Sequence, residues 1–192
     1  KKKTINLNNI VKGMFNDIEF RDHCKLSAVN SINWVRVMAQ IVYYFYGALQ
    51  LSAPENPVSF SVPTGNFGNV FAGYGAKRMG LNIEKLIIGS NSNDILSRFF
   101  EDGRMLTTGV RPTISPSMDI QISSNFERLL FELYGRDGDI TQTMMKTFSD
   151  TGLFEVGQGQ LEQAQSLFSA QRFSDDETLA IMKQILIENK EL

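Results

Sequence analysis

The chain has 192 residues, 42% of them hydrophobic and 21% charged, with a formal net charge of −2, as expected of one ordinary globular domain. That near-neutral balance gives no electrostatic reason to expect nucleic acid or an anionic membrane as partner, no apolar run reaches the ~20 residues that span a bilayer, and no signal-peptide pattern is present. One cysteine, Cys24, excludes an internal disulfide and fits a reducing cytoplasm, and one histidine, His23, excludes a metal site of several imidazoles. His23 reads as a surface residue and Cys24 as a small buried hydrophobe. No Gly-x-Ser-x-Gly elbow points to a serine hydrolase.

In chain order, Lys1 to Lys3 read as a solvated terminus, and Thr4 to Leu7 alternate weakly, as a first strand would. Ile10 to Phe15 and Asp17 to Asp22 are short helical pieces. From Ser27, a candidate N-cap, apolar residues recur at helical spacing from Val29 to Leu49, and Ser52-Ala53-Pro54 closes this long helix. Its aromatic run, Tyr43 to Tyr46, reads as core packing. Asn30, Asn33 and Arg36 fall three apart and share one polar stripe, where amides and a guanidinium suit an anionic group, but on these residues alone surface polarity with N-terminal capping is the favoured reading.

An apolar strand, Val58 to Val62, follows, then the Gly-rich turn Pro63 to Asn69, a helix from Gly68 to Met79 with Gly80 as C-cap, and a strand from Lys85 to Ile88. The alternation implies an α/β fold with a doubly wound, mainly parallel sheet between two helical layers. Ligands in such sheets bind beyond the carboxyl ends of the strands. That rule groups the Pro63–Asn69 turn with Asn91, Asn93 and Asp94, where Asn93 or Asp94 also suits the N-cap of a helix from Ile95. Leu106 to Gln121 lacks periodicity and reads as loop. Phe126, Leu129, Leu130 and Leu133 mark an amphipathic helix capped by Ser124 or Asn125, with Glu127 and Arg128 facing solvent. Asp137-Gly138-Asp139 is a turn. Thr141 to Phe148, Gln160 to Ser169 and Asp175 to Glu188 read as helices, the last opened by the capping box Ser174 to Glu177. The expected division is residues 1–140 as the α/β part and residues 141–192 as a helical extension of the same domain.

The turn from Thr64 to Asn69 carries the chemistry. A strand that ends in a Gly-rich turn and restarts as a helix exposes unpaired N–H donors and the positive end of a helix dipole, both suited to phosphate. Gly65 and Gly68 allow close backbone approach and positive φ, while Asn66 and Asn69 offer amide donors. No Lys follows Gly68 until Lys77, so the turn is not a Walker A loop, and two glycines do not make the dinucleotide fingerprint. Gly73 and Gly75 lie within the helix and serve close packing. On these residues alone a plain βα turn and a ligand site are equally good readings.

Four segments together resemble threonine synthases, pyridoxal-phosphate (PLP) enzymes of the tryptophan-synthase-β fold type. They are "LSAVNSINWVRVMAQIVYYFYGA" (26–48), "VSFSVPTGNFGNVFAGYGAKRMGL" (58–81), "NSNDIL" (91–96) and "SPSMDIQISSNFERLLFELYGRDG" (115–138). The resemblance implies that Thr64, Gly65, Asn66, Phe67, Gly68 and Asn69 cradle the PLP phosphate. It assigns the substrate's anionic groups to Asn30, Ser31, Asn33, Arg36 and Asn91. The implied reaction converts O-phospho-L-homoserine and water to L-threonine and phosphate, with PLP as electron sink. The family's Schiff-base lysine lies in a segment like "PTLAFKD", and no lysine of this chain has that context. The family's later Ser/Thr segment, facing the pyridine nitrogen, has no counterpart either. In "VKGMFND" (11–17), Asn16 stands where the family carries the first of two acids. The expectation is therefore a central piece of such an enzyme, inactive alone, needing the missing parts or associating with itself through exposed apolar surface. The alternatives are a non-catalytic PLP- or phosphate-binding module and a structural fragment that needs a partner chain.

Overall fold

A computed structural model describes residues 7–27, 32–51 and 53–189. Its centre is a parallel three-stranded sheet in the order β1 (Val58–Pro63), β2 (Ile83–Ser90) and β5 (Phe168–Arg172). The register sets Pro63 opposite Gly89 and Ser90 opposite Arg172, so all three strands end at one edge. Helix α4 (Gly68–Arg78) connects β1 to β2 and packs against α3 (Trp34–Gln50). Between β2 and β5 the chain runs through α5 (Ile95–Asp102), the short strand β3 (Arg104–Leu106), a loop with a 3-10 turn at Pro116–Met118, α6 (Phe126–Leu133), α7 (Gly138–Thr151), β4 (Leu153–Glu155) and α8 (Gln158–Leu167). Strands β3 and β4 form a separate antiparallel pair. Two short helices, α1 (Leu7–Asn16) and α2 (Ile18–His23), open the described chain, and α9 (Asp175–Asn189) closes it.

The α/β reading and its parallel sheet are as expected, and so are the helices on either side of β1 and β2. Phenylalanine builds the core between sheet and helices. Phe67, Phe99, Phe100, Phe126 and Phe168 stack, tilt or meet edge to face, the closest centroids being 4.6 Å apart between Phe99 and Phe126. Such contacts add about 0.5–1.5 kcal/mol per pair beyond the area they bury.

Several expectations are corrected. The long helix starts at Trp34, with Asn33 as N-cap accepting from the Val35 N–H at 2.9 Å. Ser27 is not its cap, because a helix start takes one cap and Asn33 is the Asx next to the first helical turn. The aromatic run divides by face: Tyr44 is buried at 4% exposure, while Tyr43 and Tyr46 stand 67% and 68% exposed. Cys24 is exposed, on the short α2 turn. The helix expected from Gln160 to Ser169 stops at Leu167, and the segment Phe168–Arg172 is a strand. Its Ser, Ala, Gln and Arg carry little strand propensity, and the open edge of β2 decides its state. The weak strand at Thr4 to Leu7 lies outside the described residues, except Leu7, which begins α1. No helix among the described residues is long and apolar enough to cross a membrane.

Candidate phosphate-binding site

The site begins where β1 hands over to α4. Thr64 is buried; its N–H donates to the Gly89 carbonyl of β2 at 2.9 Å and its hydroxyl to the Val62 carbonyl at 2.9 Å. The turn therefore leaves the sheet already fixed at its first residue. Helix α4 starts at Gly68 with Phe67 in the N-cap position and no side-chain cap. Among the described residues, the N–H groups of residues 65 to 70 donate to no protein acceptor, and the first helical bond is Phe71 N–H to the Phe67 carbonyl at 3.0 Å. Uncapped donors at a helix start are the usual receptor for an anion.

Phe67 supplies the bend. Its φ of 64° and ψ of −1° lie in the left-handed region, and an αL residue followed by a helical one turns successive N–H groups into one concavity. Neither Gly65 nor Gly68 has positive φ, contrary to the expectation from sequence. The strain, about 1–2 kcal/mol, is offset by the Phe67 ring, which is fully buried against Phe100, Phe126 and Phe168. Gly65 instead serves close approach, since a Cβ there would stand 2.8 Å from Cδ1 of Ile120.

The back of the turn is clamped by the start of α6. Asn125, fully buried, donates both its backbone N–H (3.1 Å) and its side-chain Nδ2 (3.0 Å) to the Asn66 carbonyl. Ser124 Oγ donates to Asn66 Oδ1 at 3.3 Å. Arg128 is not a solvent-facing residue. It donates to Asn125 Oδ1 at 3.0 Å and to the Ile32 carbonyl at 2.6 Å, and its guanidinium lies 5.4 Å from the Trp34 ring centroid. One side chain thus ties α6, the turn and the start of α3 together.

The concavity measures about 150 Å³ and is lined by residues 63–69 together with Arg36 and Gln40. That is below the ~300–1,000 Å³ of a whole small-molecule pocket and fits a single anionic group. Arg36 is exposed and is the cation of this lining among the described residues. Of the other residues expected at the substrate, Asn30 and Ser31 lie outside the described residues. Asn33 caps α3, so its Oδ1 is occupied and it shares no helical stripe with Arg36. Asn91 sits at the same sheet edge, but its amide donates to Thr113, Ser115 and Asp119 at 2.8–3.0 Å. Those bonds hold the 113–119 loop, with Ile120 after it, near Gly65. Asp119 accepts from Thr113 and from Asn91 and Asn93, and the Thr113 bond above all holds its carboxyl below the ordinary range.

Gln40, Tyr44, Asn125 and Arg128 were not singled out as site residues from sequence. Gln40 had a signal, being one turn beyond Arg36 on the same face. For Asn125 and Arg128 the partners are distant in sequence, and no local pattern shows them.

No family model matches the chain. Threonine synthase of Pseudomonas aeruginosa is 48% identical over 183 residues, which are 95% of this chain and 39% of that protein. Threonine synthase of Saccharomyces cerevisiae is 44% identical over 192 residues, 94% of this chain and 37% of the relative. Among solved structures, PLP-bound threonine synthase from Brucella melitensis superposes with a TM-score of 0.92 at 56% identity, covering 96% of this chain and 40% of that one. The chain thus spans about two fifths of the length of the relatives it matches. The motifs at both sides of the turn, the parallel sheet and these likenesses agree: the chain belongs to the threonine synthase family.

Proposed function

We propose that this chain supplies the cofactor-phosphate cradle of a PLP-dependent threonine synthase, acting on O-phospho-L-homoserine and water to give L-threonine and phosphate. The observation that carries this reading is the uncapped start of α4, where, among the described residues, the N–H groups of residues 65 to 70 are without protein acceptors beside a concavity of one-phosphate size. Bound there, PLP supplies an electron sink for carbanion chemistry. The chain's own part is binding and orientation. Residues 65 to 69 present backbone donors and the helix dipole to the phosphate, while Thr64, its N–H and hydroxyl both spent on strand carbonyls, anchors the turn. Asn125 and Thr64 hold the two ends of the turn so that those donors need no rearrangement on binding. Arg36 adds a cation at the rim for the same phosphate or for an anionic group of the substrate.

Among the described residues, no side chain lining the concavity is a lysine, so the proton transfers are assigned to a lysine from another part of the enzyme, and the chain alone is expected to bind without turnover. The same observation favours, for the isolated chain, the reading as a non-catalytic phosphate-binding module. The lone exposed thiol of Cys24 agrees with a cytoplasmic setting. Calorimetric titration with PLP, and in parallel with unphosphorylated pyridoxal, tests the cradle. The expected result is binding of PLP but not of pyridoxal, competed by inorganic phosphate. Equal behaviour of the two compounds would remove the phosphate cradle, and turnover of O-phospho-L-homoserine by the chain alone would refute the assignment of the lysine elsewhere.

A further inference from the structure

The long helix α3 reaches the cradle at a residue other than Arg36 and Gln40. Tyr44 lies one turn beyond Gln40, buried at 4% exposure, with its ring edge to face against Phe60 at 4.8 Å. The ring rests so closely on α4 that a Cβ on Gly73 would stand 2.7 Å from Tyr44 Cε1. That contact leaves the hydroxyl one place to go. It lies 2.7 Å from Asn69 Oδ1 and 3.0 Å from the Asn69 carbonyl oxygen, and with one proton to give, the shorter contact to Oδ1 takes it.

From this geometry we infer that Tyr44 is a positioning residue for anion binding: by donating to Oδ1 of Asn69, it fixes the amide so that Nδ2 is the group left for the phosphate. This rests on the cradle reading above. Asn69 lines the concavity, and its backbone N–H is without a protein acceptor among the described residues. An unrestrained asparagine amide presents oxygen or nitrogen with little preference, and an oxygen turned toward a phosphate repels it. With Oδ1 engaged by the hydroxyl, the Nδ2 donors are the part of the side chain left without a protein partner among the described residues. Burial also pushes the Tyr44 phenol above its ordinary value, so it stays a donor through and above neutral pH.

Gly73 is part of the same device. Only a residue without a side chain lets the phenol ring lie against α4 at the depth where its hydroxyl meets Asn69. Phosphate affinity is therefore linked to a contact on the helix face one turn past the turn itself.

The test compares this chain with Tyr44→Phe, Asn69→Ala and the double variant, titrated with PLP, pyridoxal and inorganic phosphate, with thermal unfolding recorded for each. Tyr44→Phe keeps the ring and its packing, so the chain stays folded. The expected result is a roughly tenfold loss of PLP and phosphate affinity, the scale of one charge-assisted hydrogen bond, with pyridoxal unaffected and no further loss when Tyr44→Phe is added to Asn69→Ala. A lowered melting temperature with unchanged PLP affinity would make Tyr44 merely a packing residue and overturn the inference. Equal losses in both backgrounds would overturn the coupling through Asn69. Absence of phosphate-dependent binding in the unsubstituted chain would overturn the cradle reading, and this inference with it.

Discussion

Phe67 meets two opposed demands, and substitutions there separate them. Its backbone sits in the left-handed region, which costs about 1–2 kcal/mol for a residue with a Cβ, while its ring fills the centre of the phenylalanine core. Removing a buried Phe costs about 3–5 kcal/mol. Phe67→Ala loses the ring and keeps the strain, whereas Phe67→Gly loses the ring and relieves the strain. Both variants are expected to melt lower than the parent, with Phe67→Gly the more stable by about 1 kcal/mol in denaturant unfolding. An equal loss would show that the strain at the positive φ is no larger than glycine's extra unfolded-state entropy. Asp119 makes a second residue-scale case. Its folded carboxyl is held below its ordinary value of 3.8, chiefly by the Thr113 hydrogen bond. A depressed carboxylate adds stability above its unfolded pKa and loses it as pH falls through the folded one. Stability should therefore drop below about pH 4, and Asp119→Asn should remove that part of the acid limb. An unchanged acid limb in the variant would assign the drop to other carboxylates.

Among the elements, the start of α6 acts as a clamp across three pieces of chain, and Arg128 is its centre. Lysine cannot replace it, because one ammonium does not make the fork that reaches both Asn125 Oδ1 and the Ile32 carbonyl while lying over the Trp34 ring. Arg128→Lys and Arg128→Ala are both expected to cost about 1–3 kcal/mol and to loosen the turn through Asn125. Hydrogen exchange at the bonded amides that frame the turn, Thr64 and Phe71, should rise in both. Exchange confined to α6 would mean that the clamp does not reach the turn. Elements differed in how far the sequence disclosed them, and for physical reasons. Strands β1 and β2 and helix α4 were legible because β-branched and apolar residues, glycine punctuation and helical spacing all act locally. The start of α3 was misplaced because Ser27 and Asn33 offer the same capping chemistry. Strand β5 was missed because Ser169, Ala170, Gln171 and Arg172 have no strand signature and are strand only by pairing with β2. At the site, the donors of the turn were readable from its glycines, but the positive φ fell on Phe67, where only tertiary packing permits it.

At the scale of the whole molecule, the apolar residues that face outward follow a pattern. Val35, Met38, Val42, Tyr46 and Leu49 recur every three to four residues along α3, and each is at least half exposed. They lie on the side opposite Val37, Tyr44 and Ala48, which face α4 and the sheet. A second set, including Ile181, Met182, Ile185 and Ile187, stands exposed on α9. Apolar stripes of this kind normally meet another surface, and the family's relatives are about two and a half times longer than the part this chain covers. The stripe on α3 is therefore expected to be covered in the full enzyme, and in the chain alone by self-association. Sedimentation velocity over a concentration series should show a reversible shift to dimers or larger species. Val42→Glu combined with Tyr46→Lys should abolish that shift and leave PLP affinity unchanged, because neither residue lines the concavity that Arg36, Gln40 and the turn enclose. A monomer at every concentration would show that the α3 stripe tolerates water. A doubly charged variant that stays monomeric but also loses PLP would instead place the stripe under the cradle, so that covering α3 and holding the phosphate would be one event.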